Sequence, residues 1–263
     1  MSVKAQLKAV QTRARERLCK ICFCHVPKCA GTSVSSAIDK QTFSLYERLL
    51  IPNFGIDLEA TGRASRITSR SMRDLREELL SYALSLQNYK YASGHFPCRP
   101  NLVMEFQGVW NFVTILRNPI ERWISEYIYN TYKAQSWEKN TTPIEDYIET
   151  EKGRMTGISY LLYFSNLPTD FAGNRQPYID EAIENLSRFS VVGVSEDIGN
   201  FERQFETVFG KKLGIRQTNV SPKSNLKQRI KEDEALMAKI SKLCEADQRV
   251  YQRIVEEVYA SQP

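Results

Sequence analysis

Two short stretches combine cationic and hydroxyl side chains with helix-opening residues: His25-Val-Pro-Lys-Cys-Ala-Gly-Thr-Ser33 and Leu116-Arg-Asn-Pro-Ile-Glu-Arg-Trp-Ile-Ser-Glu-Tyr127. Each follows an apolar, β-branched run and opens a segment with helical spacing, so each lies where a strand gives way to a helix. At such a junction the unpaired backbone N–H groups and the helix dipole favour an anion. Two of these junctions on one parallel sheet could hold a ligand with phosphate at both ends.

The first stretch is not a Walker loop. A Walker sequence puts Lys directly after its last Gly and follows it with Ser or Thr. Here Thr32 and Ser33 follow Gly31, and Lys28 precedes the glycine. The backbone can still wrap a phosphate, with Gly31 allowing close approach and Thr32 and Ser33 donating from the first helical turn. The lysine for a β/γ-phosphate is missing and no strand-ending Asp for magnesium stands out. A triphosphate site, and with it an ATP- or GTP-dependent kinase, is disfavoured.

Pro-Lys-x-x-Gly-Thr-Ser after the first strand resembles the 5′-phosphosulfate loop of sulfotransferases. Arg117, Pro119, Arg122, Ser125 and Tyr127 resemble their 3′-phosphate motif, closest to the carbohydrate branch that includes heparan and uronyl 2-O-sulfotransferases and related bacterial enzymes. The resemblance implies an α/β fold of the P-loop kinase-like sulfotransferase type, a central parallel sheet flanked by helices. It also implies 3′-phosphoadenosine-5′-phosphosulfate as the donor, with no metal required. Lys28 is then the electrostatic stabiliser of the leaving 5′-phosphate. The amides of Cys29, Ala30, Gly31, Thr32 and Ser33 hold that phosphate, together with the Thr32 and Ser33 hydroxyls. Arg117 and Ser125 hold the 3′-phosphate. Arg122 either joins them or pairs with a structural carboxylate.

Sulfuryl transfer is mainly positioning and charge stabilisation, by analogy with phosphoryl transfer. It also needs a base for the acceptor hydroxyl. The chain has two histidines. His95, in Ser93-Gly-His-Phe-Pro, follows a strand end, where α/β active sites collect. It resembles the catalytic histidine of carbohydrate members, and a neutral imidazole suits the task. The alternatives are a structural histidine at the Phe96-Pro97 turn and a glutamate base. A polar loop, Asn219-Val-Ser-Pro-Lys-Ser224, adds Lys223 as a candidate 3′-phosphate ligand and Ser221 on the adenosine side.

The elements that must position these groups read as one α/β domain over 1–263, with a helical acceptor-side insertion at about 41–88. Strands are expected at Leu18–Val26, Lys90–Ser93, Val109–Leu116 and Ser190–Ser195. Helices are expected at Thr32–Lys40, after Asn118 and at about Gly199–Phe209, and the stretch from about Leu226 to Tyr259 reads as helical with a broken apolar stripe. Alternating strands and helices predict a parallel sheet with helices on both faces. After Leu116, Asn118 reads as an N-cap, Pro119 as a first-turn residue and Glu121 as the partner of a capping box. Ile120, Trp123, Ile124, Tyr127 and Ile128 form the core-facing stripe. The insertion shows no sheet element. Its Arg66, Arg70 and Arg73 would share a helix face, either a cationic surface for an acidic glycan or a solvated face paired with Glu77 and Glu78.

Hydrophobic content of 42% and charged content of 25% are ordinary globular usage, and a net charge of +5 falls short of a nucleic-acid binder. No apolar run reaches the roughly 18–20 residues that span a bilayer. The expected location is cytoplasmic, the alternative being a Golgi lumenal domain separated from its anchor. Cys19, Cys22, Cys24 and Cys29 surround His25 with partly zinc-like spacing, but no second pair exists, so free thiols are expected. The resemblance implies a glycan acceptor, with a small alcohol or phenol as the alternative, and a catalytically inactive donor-binding protein as a further class.

Overall fold

The run Ile21 to Cys24 is wholly buried, as befits a strand covered on both faces. The structure, a computed structural model, describes residues 19–168, 171–215 and 224–260. In it, β1 (Lys20–Cys24) pairs in parallel with β3 (Tyr91–Gly94) on one side and β4 (Trp110–Leu116) on the other. A two-residue strand, β2 (Phe54–Gly55), adds beyond β3, and β5 (Val191–Val194) adds beyond β4. The order is β2-β3-β1-β4-β5, all parallel. The chain leaves β1 toward one edge and β4 toward the other. The sheet's switch point, where open α/β sheets place their ligands, therefore lies beyond the carboxyl ends of these two neighbours.

Each expected strand forms, with its ends within one or two residues of those expected. The insertion is not purely helical. Between α1 (Gly31–Thr42) and β3 it holds α2 (Leu45–Leu50), β2, α3 (Leu58–Thr68) and α4 (Met72–Ser85). β2 was illegible because two residues show no periodicity. α3 ends at Ser69, which takes a left-handed conformation with φ of 53°, so Arg66 and Arg73 belong to different helices and share no face. Arg70 between them pairs with Glu78.

After β3 come α5 (Pro100–Phe106), β4, α6 (Pro119–Tyr132), α7 (Ile144–Tyr147), α8 (Glu151–Gly157), α9 (Ser159–Phe164) and α10 (Gln176–Leu186). The expected stripe of α6 is buried: Trp123, Ile124, Tyr127 and Ile128 form a second apolar cluster with Ile144, Tyr147, Leu236 and Ile240. Burying each such side chain contributes about 1.5–3 kcal/mol. After β5 come α11 (Ile198–Phe209), α12 (Ser224–Glu232), α13 (Glu234–Leu243) and α14 (Glu245–Ala260). The stretch expected to be helical from about Leu226 to Tyr259 is divided among these last three helices. Asp233 breaks the run by accepting the Leu236 amide at 2.9 Å as the cap of α13. Among the described residues no helix is long and apolar enough to cross a membrane, and no acidic, histidine or cysteine group could hold a metal ion. All six cysteines are free.

Candidate active site

β1 delivers His25 to the switch point, and the following loop turns through two left-handed residues, Lys28 (φ 68°) and Ala30 (φ 57°). Such conformations cost about 1–2 kcal/mol for residues with a Cβ, so the surroundings must impose them. Cys29 between them is buried, with Sγ 3.7 Å from the Pro27 carbonyl and 3.8 Å from the Tyr160 hydroxyl. Its burial pushes the thiol up to about 12, against the pull of Arg122, so it is inert as a nucleophile. Gly31 is fixed by space: a Cβ there would stand 1.8–2.4 Å from ring atoms of His25. The cap position of α1 is Ala30, and no side chain caps that helix. Its first-turn amides are thereby not committed to a cap.

The second motif begins where β4 ends. The Arg117 amide donates to the Tyr160 hydroxyl at 2.9 Å, and that hydroxyl donates in turn to the Arg117 carbonyl. Arg117 Nη1 then reaches across and donates to the Lys28 carbonyl at 3.1 Å. The two motifs are in direct contact. Asn118 is the expected cap, its Oδ1 accepting from the Ile120 and Glu121 amides at 3.1 and 3.2 Å. The capping box does not form. Asn118 N–H donates to Glu196 at 2.8 Å, while the Glu121 carboxylate turns to Lys227 at 2.7 Å, to Lys231, and to Arg117 at 4.0 Å. Three cations outcompete one amide. Arg122 is structural: fully buried, it pairs with Glu126 at 2.7 Å and donates to the Thr156 carbonyl. Burial opposes its charge, but Glu126, Tyr160 and Asp247 together keep it firmly protonated. Ser125 is half-buried on the line of Glu121 and Tyr129, one turn from each.

The histidines meet beneath the first loop. His95 Nδ1 lies 2.7 Å from the His25 carbonyl, and the ring centroids are 4.2 Å apart. A carbonyl only accepts, so Nδ1 carries the proton and the lone pair of the neutral ring sits on Nε2. Burial lowers the pKa of His95; its bond to His25 and the charge of Glu126 partly offset this, while Arg76 and Lys28 lower it further. His25 is pushed lower still, by burial and by its neighbours His95 and Lys28. Buried Arg76 on α4 holds the His95 segment from the other side, donating to its carbonyl at 3.4 Å and to Thr61 Oγ1 at 3.0 Å. Burial also lowers the Lys28 pKa, opposed by Glu126.

A model described as the sulfotransferase family matches residues 14–255. The chain belongs to the sulfotransferase family. Among solved structures it is similar to a sulfotransferase from Alicyclobacillus acidocaldarius, at 13% identity and a TM-score of 0.35, over 85% of this chain and 95% of that one. No curated protein matches it.

In this sulfotransferase the sequence-expected Lys28, Cys29, Ala30, Gly31, Thr32, Ser33, His95, Arg117 and Ser125 all lie on segments leaving the carboxyl ends of β1, β3 and β4. Lys223 and Ser221 fall outside the described residues. Two residues escaped the sequence reading. Tyr160 is fully buried and ties Arg117 to the first loop, and its own amide is held at 2.8 Å by Asp247 of α14. Burial pushes Asp247 up to about 7, opposed by Arg122. Nothing in an apolar run such as Ile158–Phe164 separates a clamp from a core tyrosine. Glu126 was legible in principle, one turn from Arg122 on an amphipathic helix.

Proposed function

We propose that this sulfotransferase moves the sulfuryl group of 3′-phosphoadenosine-5′-phosphosulfate to a hydroxyl of a carbohydrate acceptor. The observation that carries the reading is the Arg117–Lys28 contact at 3.1 Å, which joins two anion-binding motifs at the switch point. A donor with phosphate on both sides of one ribose fits two adjoining sites better than a linear triphosphate does. The acceptor oxygen bonds to sulfur as the bond from sulfur to the 5′-phosphate oxygen breaks. The hydroxyl proton passes to His95 Nε2, and Lys28 meets the charge that develops on the leaving phosphate. The fit to the donor rests on the uncapped α1, the small residue at Gly31 and the cations of both motifs.

Thermal shift and calorimetry with adenosine 3′,5′-bisphosphate against ATP with magnesium test the donor class. Tight binding of the bisphosphate alone is expected, and preference for ATP would overturn the reading. Radiolabelled donor offered to desulfated polysaccharides and to simple phenols then decides the acceptor class, label in the phenols alone being the result against a carbohydrate.

A further inference from the structure

The Lys28 ammonium lies 3.8 Å from the centroid of the Tyr129 ring. We propose that Tyr129 is a positioning residue for Lys28, holding the lysine ammonium on its ring face at the donor site without neutralising it. The inference rests on the donor reading above.

Tyr129 stands at the solvent side of α6, 49% exposed, whereas Trp123 and Tyr127 of the same helix are buried. It follows Glu121 and Ser125 at intervals of four, so these three side chains line one face, the face that carries the expected 3′-phosphate contact. Lys28 is therefore gripped at both ends by the β4–α6 unit. Arg117 takes its carbonyl and Tyr129 takes its ammonium. Among the described residues Lys28 makes no ion pair, and Glu126 supports its charge only at longer range.

The choice of partner matters chemically. A carboxylate in contact with Lys28 would hold it as well, but would cancel the charge that the leaving phosphate needs. An aromatic face attracts a cation through its quadrupole and carries no net charge. The lysine thus keeps its full positive charge and loses only its freedom to swing into solvent. Lys133, with its ammonium 5.8 Å from the same ring, reaches the same aromatic but less closely.

The test compares Tyr129→Phe, which keeps the face, with Tyr129→Leu, which removes it. In lysine-labelled free protein, the Lys28 ε-methylene protons should be shifted upfield by the ring, the shift surviving in Tyr129→Phe and vanishing in Tyr129→Leu. With labelled donor, sulfuryl transfer to acceptor or to water should fall about 2- to 30-fold in Tyr129→Leu, with adenosine 3′,5′-bisphosphate affinity changing less, and recover in Tyr129→Phe. Melting curves check that both variants are folded. An unshifted Lys28 resonance, or a phenylalanine variant as impaired as the leucine one, overturns the role of Tyr129. Wild-type protein that fails to bind the bisphosphate sinks the donor reading instead, and the catalytic part of the role with it, whatever the resonance shows.

Discussion

The two motifs sit side by side yet are built in opposite ways. The first offers backbone: its helix has an alanine at the cap position, two left-handed residues before it, and a glycine pressed against His25. The second has already committed its leading amides to Asn118 and presents side chains instead. A helix N-terminus keeps its amides open to a ligand only where no side chain has capped it. Of the two junctions expected to offer amides, the second has a side-chain cap and the first has none. The first motif should be sensitive to volume and the second to charge.

The largest effect should come from the histidine beneath the first motif. His95→Ala should cut turnover by about 10²–10⁴ while donor affinity stays within a few-fold, measured by single-turnover kinetics and calorimetry. Because burial depresses its pKa, the acid limb of the kcat/KM profile should lie below the ordinary histidine value of about 6.5. Near-normal turnover in that variant would move the base to a carboxylate, with Glu126, whose charge acts on His95, as the first to test.

Next, Arg117→Ala should weaken adenosine 3′,5′-bisphosphate by about 10- to 100-fold, the loss of a charge-assisted contact of about 1.5–3 kcal/mol. It also frees the Lys28 carbonyl, so adenosine 5′-monophosphate should weaken too, but less. Equal losses for both nucleotides would mean that Arg117 acts only by propping the first loop. Gly31→Ala is the contrasting case. Its methyl cannot fit against His25, and both nucleotides should weaken together by about tenfold, with overpacking costing about 1–3 kcal/mol of stability. A selective loss of the bisphosphate would break the division between the motifs.

Tyr160→Phe removes one hydroxyl and leaves the Arg117 amide and carbonyl short of a partner, at about 1–3 kcal/mol in chemical denaturation. The bisphosphate should suffer more than the monophosphate, because the arginine moves first. The smallest effect belongs to Asn118→Ala. It should cost about 1 kcal/mol of stability as a lost cap. Uncapping should add no affinity for the monophosphate; a gain would show the second helix recruited as a backbone site.

The four longer strands of the sheet and both motifs were legible because they rest on local signals. Buried parallel strands are continuous apolar runs, and Asn118-Pro119 announces a helix start. The stretch between α6 and β5 was not legible. Helices of four to seven residues such as α7 and α8 show no usable period. Asp233 hid as a cap because it stands in a charged run, Lys231-Glu-Asp-Glu234, that reads as one solvated face. Glu121 matched the capping-box pattern and still did other work, because Lys227 and Lys231 approach it from a helix about a hundred residues away in sequence. Tertiary partners of this kind cannot be read from spacing.

The strand order has a consequence for synthesis. β1 pairs Ile21 with Tyr91 on one side and Asn111 on the other, so both neighbours are made long after it. As the chain emerges N-terminal end first, the strand bearing the lysine loop waits, apolar and with both edges open, until β3 and β4 follow it out. Non-local parallel pairing of this sort is slow and exposed to aggregation. The lysine loop is therefore made before either of the strands that flank it, and it can settle only after both have followed.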